Sequence, residues 1–176
     1  MLRVSTVDEH NRMSTQDLLL AIGEAVKQGE TDFEIKASGQ HDIGGPLWHP
    51  EGKKLHFHVW NAGQRTGSMC LPGTEIVIEE STSADVGWLN AGAKIIVHGN
   101  ATNGAANAMA QGRVYIGGNI GARGMTMTKY NPRFEPPELW VFGKAGDSFA
   151  EFMAGGIAVI CGAGAGQSVI ISICTE

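Results

Sequence analysis

"AKIIVHGNATNGAANAMAQGRVYIGG", residues 93–118, is the stretch whose reading decides the fold. Two β-branched apolar runs, "AKIIVHG" from Ala93 and "GRVYIGG" from Gly112, each reach a glycine six positions on, at Gly99 and Gly118. The same run recurs downstream as "PELWVFG" from Pro137 and "GIAVICG" from Gly156, ending at Gly143 and Gly162. Upstream, "GTEIVIE" from Gly73 fits except that Glu79 replaces the last glycine. The starts lie 20, 19, 25 and 19 residues apart, and the long interval carries "TMTKYNPRFEPP", residues 126–137.

The segments between the runs also match. "GNATNGAANAMAQG" (99–112) and "GKAGDSFAEFMAGG" (143–156) share G-x-A at the start and Met-Ala-x-Gly at the end, so Met109 and Met153 fall in one phase. A unit of about 20 residues with one strong strand cannot bury its apolar side alone; stacking such units side by side, strand parallel to strand, solves this. Glycine makes up 25 of 176 residues, about twice ordinary usage, as frequent tight turns require. The expected fold is all-β: a right-handed, single-stranded parallel β-helix with a short N-terminal α/β cap. Residues 1–50 would be the cap and 51–176 the repeats. Asn100, Asn103, Asn107 and Asn119 suit left-handed turns and can stack between repeats.

Other readings of the glycines fit less well. "AVICGAGAGQSVI" (158–170) has the look of a phosphate-cradling turn, but Gln167 stands where the third glycine of G-x-G-x-x-G belongs. The next residues, "SVIISIC", are β-branched and read as a strand, which leaves no helix to face a phosphate. Gly162 to Gly166 therefore read as a corner of the repeat. A leucine-rich repeat lacks its leucine ladder here, and a hexapeptide repeat lacks its aliphatic spacing of six. Before the repeats, "STQDLLLAIGEAVKQG" reads as a helix capped by Ser14 and Asp17, with Leu18, Leu19, Ile22, Ala25 and Val26 on one face and Gly29 ending it. "DFEIKA" (32–37) and "KLHFHVW" (54–60) alternate as strands. The terminal apolar strand is expected to be covered by a partner subunit or a second copy.

Charge and composition exclude several classes. Net charge is −5 with 13 scattered Lys and Arg, so the footprint of a nucleic-acid binder is missing. No apolar run reaches the ~18 residues that span a bilayer. The start "MLRVSTVDEHNRM" is too polar for a secretory signal, and Cys70, Cys161 and Cys174 show no metal or disulfide spacing. A cytoplasmic protein is expected.

Candidate chemistry is sparse. His56 and His58 share one face of a strand and can hold a metal, although solvent-facing alternation explains them equally well. His41 beside Asp42 can be an oriented base or a plain turn. His98, where strand meets turn, reads as structural, and Cys161 as a buried, inert thiol. Asp85, Asp147 and Glu151 have no evident partner. Arg65, Arg123 and Lys129 read as loop cations. No catalytic, cofactor-binding or metal-binding set is assigned. The insertion is the better lead: Met125, Met127, Tyr130, Phe134 and Trp140 stand among Arg123, Lys129 and Arg133, a composition typical of an interface.

Through "GQHDIGGPL" (39–47), "ADVGWLNAGAKIIVHGNATNGAANAMAQGRVYIGG" (84–118) and "GKAGDSFAEFMAGGIAVICG" (143–162), the repeats resemble the C-terminal glycine-repeat (GXGXG) domain of the glutamate synthase large subunit. The likeness runs through most of residues 39–162. The C subunit of formylmethanofuran dehydrogenase is related, and stand-alone copies occur in split glutamate synthases. The resemblance implies a β-helix without catalytic groups or cofactors of its own. It would hold a glutamine amidotransferase and an FMN and iron–sulfur synthase subunit in place, and would form a homo-oligomer in isolation. The resemblance assigns no role to His41, His56, His58 or Arg65. A stand-alone enzyme with a site near His41, Arg65 or His56 is the other class to weigh.

Overall fold

The computed structural model of the chain describes residues 1–8, 11–162 and 169–173. Nine strands form one sheet in sequence order: β1 (Leu2–Ser5), β2 (Asp32–Lys36), β3 (Leu55–Trp60), β4 (Thr74–Ile78), β5 (Ala91–Val97), β6 (Gln111–Ile116), β7 (Glu138–Val141), β8 (Gly156–Ile160) and β9 (Val169–Ile173). Strands β1 to β8 pair in parallel; β9 pairs with β8 antiparallel. One helix, α1 (Thr15–Lys27), lies between β1 and β2.

Alternation within each strand sends one set of side chains inward. Register joins these into two apolar ladders. One runs Leu2, Phe33, Phe57, Ile76, Ile95, Val114, Leu139, Ala158; the other runs Val4, Ile35, Val59, Ile78, Val97, Ile116, Val141, Ile160. From Phe33 and Ile35 onward every member is buried, and Phe33 stacks on Phe57 with ring centroids 4.5 Å apart. These ladders are the core, and α1 adds Leu18, Ile22, Ala25 and Val26 to it. The Ser14 hydroxyl oxygen accepts the Asp17 N–H at 3.1 Å and its O–H donates to the Asp17 carboxylate at 2.7 Å, as a capping pair should. Gly29, with φ +95°, ends the helix.

The repeat is more regular than the sequence reading made it. Glu75 faces Lys94, and Lys94 faces Arg113, each 19 residues on. The upstream run therefore starts at Thr74, not Gly73, and Glu80, not Glu79, occupies the place of Gly99. The four aligned glycines form a backbone chain: Gly118 N–H donates to Gly99, Gly143 to Gly118 and Gly162 to Gly143, at 2.8, 2.9 and 2.9 Å. The insertion lengthens only the link from β6 to β7.

Opposite the sheet the chain turns by an alternation of left-handed residues. Three columns stack layer on layer. The first is Asp42, Arg65, Asp85, Gly104, Arg123, Ser148; the second Gly44, Gly67, Gly87, Ala106, Met125, Ala150; the third Met69, Leu89, Ala108, Met127, Phe152. All have positive φ. In the first and third columns each N–H donates to the carbonyl just before its counterpart in the next layer, as Arg65 does to Ala84 and Leu89 to Asn107. The middle column donates the other way, as Ala106 does to Val86, and its residues lie inside.

These turns correct the expected right-handed parallel β-helix with its N-terminal α/β cap. Such a helix closes its section with further sheets. Here a single sheet forms, β1 and β2 belong to it, and its last pair is antiparallel. Across from it the layers meet only as isolated bridges, Thr82 to Ala101 to Ile120 and Lys129 to Ala154, because alternating left-handed residues cannot hold an extended pleat. The corner read at Gly162 to Gly166 falls largely on residues outside those described, as does Cys174.

Candidate functional site

Two surfaces carry the polar chemistry. The first is the outer face of the sheet. A groove of about 500 Å³ is lined by Met1, Asp32, Glu34, His56, His58 and Trp60. His56 and His58 stand on one face of β3, as alternation requires. His58 turns toward the next layer, where its Nδ1 lies 3.1 Å from Glu79 Oε1; from the layer beyond, His98 Nδ1 reaches Glu79 Oε2 at 3.0 Å. One carboxylate thus bridges two imidazoles. An ionised carboxylate only accepts, so each Nδ1 carries the hydrogen and each Nε2 keeps its lone pair. His98, read as structural, is half of this bridge. A group of three or more His, Cys, Asp or Glu disposed around a metal does not occur among the described residues.

Neighbouring columns on this face are charge-matched. Lys94 Nζ meets Glu75 at 3.0 Å, Arg113 Nε meets Glu138 at 3.1 Å and Arg3 Nε meets Glu34 at 2.9 Å. A second groove of about 440 Å³ is lined by Pro72, Lys94, Arg113, Phe134, Glu135 and Pro136. Here the insertion folds back over the start of β5 and β6. Its aromatic and cationic residues do not form one patch: Met125 is buried, Trp140 lies in β7 with its indole N–H on Glu138, and Phe134 lines this groove.

The thiols divide differently from the sequence reading. Cys161 follows β8 on the outer side and is exposed, because the inward places there go to Ala158 and Ile160. Cys70 is the buried one; burial raises its pKa to about 12, and its Sγ–H donates to the Gly44 carbonyl.

The second surface is that of the left-handed turns. His41 and Asp42 are not a base and its orienter. The His41 Nδ1 accepts the Gln64 N–H at 3.0 Å, while the Asp42 carboxylate takes Arg65 at 2.9 Å. Side chains of the first and third columns point outward. The first carries alternating charge, Asp42, Arg65, Asp85 and then Arg123. The third is apolar and exposed: Met69, Leu89, Met127 and, at 79% exposure, Phe152. At the α1 end a cleft of about 160 Å³ opens between the columns, lined by Leu19, Ile22, Asp42, Pro46, Leu47 and Met69.

The sequence reading singled out Arg65, Asp85, Arg123 and Met127 one by one and missed that they share a face. The signal was present: D-x-G-x-L at Asp85 to Leu89 and R-x-G-x-M at Arg65 to Met69 place like residues at every second position. The asparagines do stack, but not at left-handed places. Asn100 Oδ1 accepts the Asn119 N–H at 2.7 Å, Asn103 Oδ1 the Ala122 N–H at 2.9 Å, and Asn107 Oδ1 the Thr126 hydroxyl at 3.1 Å.

Comparison with protein-family models, with curated proteins and with solved structures found no match to this chain. No helix among the described residues is long and apolar enough to cross a membrane.

Proposed function

We propose that the chain is a non-catalytic scaffold subunit of a cytoplasmic glutamate synthase-like complex. It would position a glutamine amidotransferase and an FMN and iron–sulfur synthase subunit. The observation that carries this reading is the glycine chain Gly99, Gly118, Gly143, Gly162, hydrogen-bonded layer to layer. It places the segments that carry the resemblance, 99–112 and 143–156, in equivalent positions of a rigid stack. A stack whose layers are tied by both strand and turn hydrogen bonds suits a part that must hold others at fixed spacing. The exposed apolar column offers a surface for docking.

The test is reconstitution. The tagged chain is mixed with the two catalytic subunits and captured; co-capture and recovery of glutamine-dependent glutamate formation are expected. Failure of both with active subunits overturns the scaffold role. The groove at His56 and His58 favours a second reading, a small-molecule site in the chain itself. Turnover by the isolated chain, lost in His56→Ala or His58→Ala, would establish it instead.

A further inference from the structure

From the turn face we infer that the chain forms a two-fold dimer with a second copy of itself, the axis crossing the layer of Gly104 and Ala108. The inference is independent of the scaffold reading: a monomer can hold partners, and a dimer needs none.

The argument starts from backbone cost. Left-handed φ costs a non-glycine residue about 1–2 kcal/mol. Met69, Leu89, Met127 and Phe152 accept that cost with φ between 54° and 56° and yet remain exposed. Glycine would be free of strain at each place and would remove an apolar side chain from water. Within the monomer these side chains gain little, so their packing lies outside it.

The face is complementary to itself. The third column has five members, and the smallest, Ala108, is the middle one. A two-fold axis through its layer, perpendicular to the columns, sets Ala108 against Ala108, Leu89 against Met127 and Met69 against Phe152. Phe152 protrudes at one end, and the apolar cleft beside Met69 lies at the other. The rotation therefore places each Phe152 at the partner's cleft. With layers ~4.8 Å apart, the matched columns run for roughly 19 Å.

Charge agrees with the same axis. In the first column Gly104 shares the central layer, so nothing obstructs close approach there. Asp85 of one copy then faces Arg123 of the other, and Arg65 faces Ser148 with Asp147 beside it. Both opposite-charge contacts occur twice. A parallel pairing would instead set like charges together, Arg65 on Arg65 and Asp85 on Asp85. Isologous pairing about a two-fold is the ordinary route to such a dimer.

Charge reversal and cross-linking test it. Sedimentation velocity of the wild-type chain is expected to give the dimer mass. Asp85→Arg alone and Arg123→Asp alone should each raise the dimer Kd by about tenfold or more, since each sets like charges face to face twice. The double variant should restore it. Arg65 and Arg123, with Asp42, already adopt this backbone conformation, so neither residue type is foreign to the column. In a Cys161→Ser, Cys174→Ser background, Ala108→Cys should cross-link to itself on mild oxidation. Met69→Cys should not, whereas Met69→Cys with Phe152→Cys should. A monomer at all concentrations, a dimer indifferent to charge reversal, an Ala108→Cys that stays uncrosslinked, or a different protein on this face overturns the inference.

Discussion

Gly117 and Gly118 are adjacent, neither has positive φ, and the structure assigns them opposite sensitivities to one added methyl. A Cβ at Gly117 would lie 2.4 Å from the His98 carbonyl oxygen of the layer before it, where real Cβ contacts stop near 3.0 Å. The layers would have to part by about 0.6 Å or more, and the Gly117 N–H to Val97 and Gly118 N–H to Gly99 bonds, now 2.7 and 2.8 Å, would stretch toward their limit. Overpacking costs about 1–3 kcal/mol and each weakened bond up to about 1 kcal/mol. Against this stands about 0.4–1 kcal/mol from a stiffer unfolded chain, so Gly117→Ala should cost about 2–3 kcal/mol. At Gly118 the nearest atom is instead the Asn100 Oδ1, at 2.2 Å, the end of an exposed side chain that can turn aside. The loss there is one hydrogen bond to Asn119, about 1 kcal/mol, largely offset by the same chain stiffening. A chain of this size loses about 2–4 °C in Tm per kcal/mol. Thermal unfolding followed by circular dichroism should show Gly117→Ala lower by about 5–10 °C and Gly118→Ala by less than about 3 °C. In an Asn100→Ala background Gly118→Ala should add nothing. Equal effects at the two glycines, or a Gly118→Ala cost that persists without the Asn100 amide, would refute these layer contacts.

A maleimide should label Cys161 in the folded protein and leave Cys70 unlabelled until denaturation, as mass spectrometry after digestion would show. Burial raises the Cys70 thiol from an ordinary 9.0 to about 12, so the folded chain holds this proton the more tightly. That contribution is full below pH 9 and is lost as pH climbs through 12; Cys70→Ala should flatten this alkaline fall in denaturant midpoint. Ile95→Ala, in the middle of an inward ladder, should cost about 2–5 kcal/mol in guanidinium unfolding, and Ile96→Ala on the outer face markedly less. Ser14→Ala should cost about 1 kcal/mol by removing the α1 cap, with a helix signal that frays first. Glu79→Gln should leave stability within about 1 kcal/mol but shift the side-chain nitrogen resonances of His58 and His98 together, because one carboxylate orients both.

The strands were legible because burial on a sheet imposes a period of two that β-branched runs display openly. Ile95, Val97, Val114, Ile116, Leu139 and Val141 could be placed inward from the sequence alone. The run at Thr74 was misplaced by one residue because its terminal glycine is absent, and Glu80 holds the place instead. "LRVS" was not seen as β1 because four residues with a charge among them carry little signal, and pairing with β2 rather than propensity makes the strand. The exposed Cys161 was misread for the opposite reason. It continues an apolar run, and only register shows that its position faces out. The closed β-helix did not follow from the repeat, because a repeat fixes which layers are neighbours and leaves open how the chain runs between strands.

The path between strands was hidden by local preference. Alternating left-handed turns call for glycine, and glycine fills several of the places, Gly67, Gly87 and Gly104 among them. Yet thirteen of the fourteen non-glycine residues with positive φ, among those described, fall in the three columns. Arg65, Leu89, Met125 and Phe152 are residues that no propensity would put in that conformation. Hydrogen bonds from the layers on either side impose it on them. In the middle column Ala106, Met125 and Ala150 gain burial in return, so the fold alone accounts for them. In the outward columns no such return exists within one chain, and the residues found there are an apolar row with its smallest member at the centre beside a row of alternating charge. Strain tolerated on a surface, where glycine would relieve it, points to selection for the partner that surface meets. The same reasoning predicts that glycine at Leu89 or Met127 should leave the monomer as stable as before, or slightly more so, while weakening self-association. A loss of monomer stability in either variant would mean that these side chains serve the chain's own packing after all.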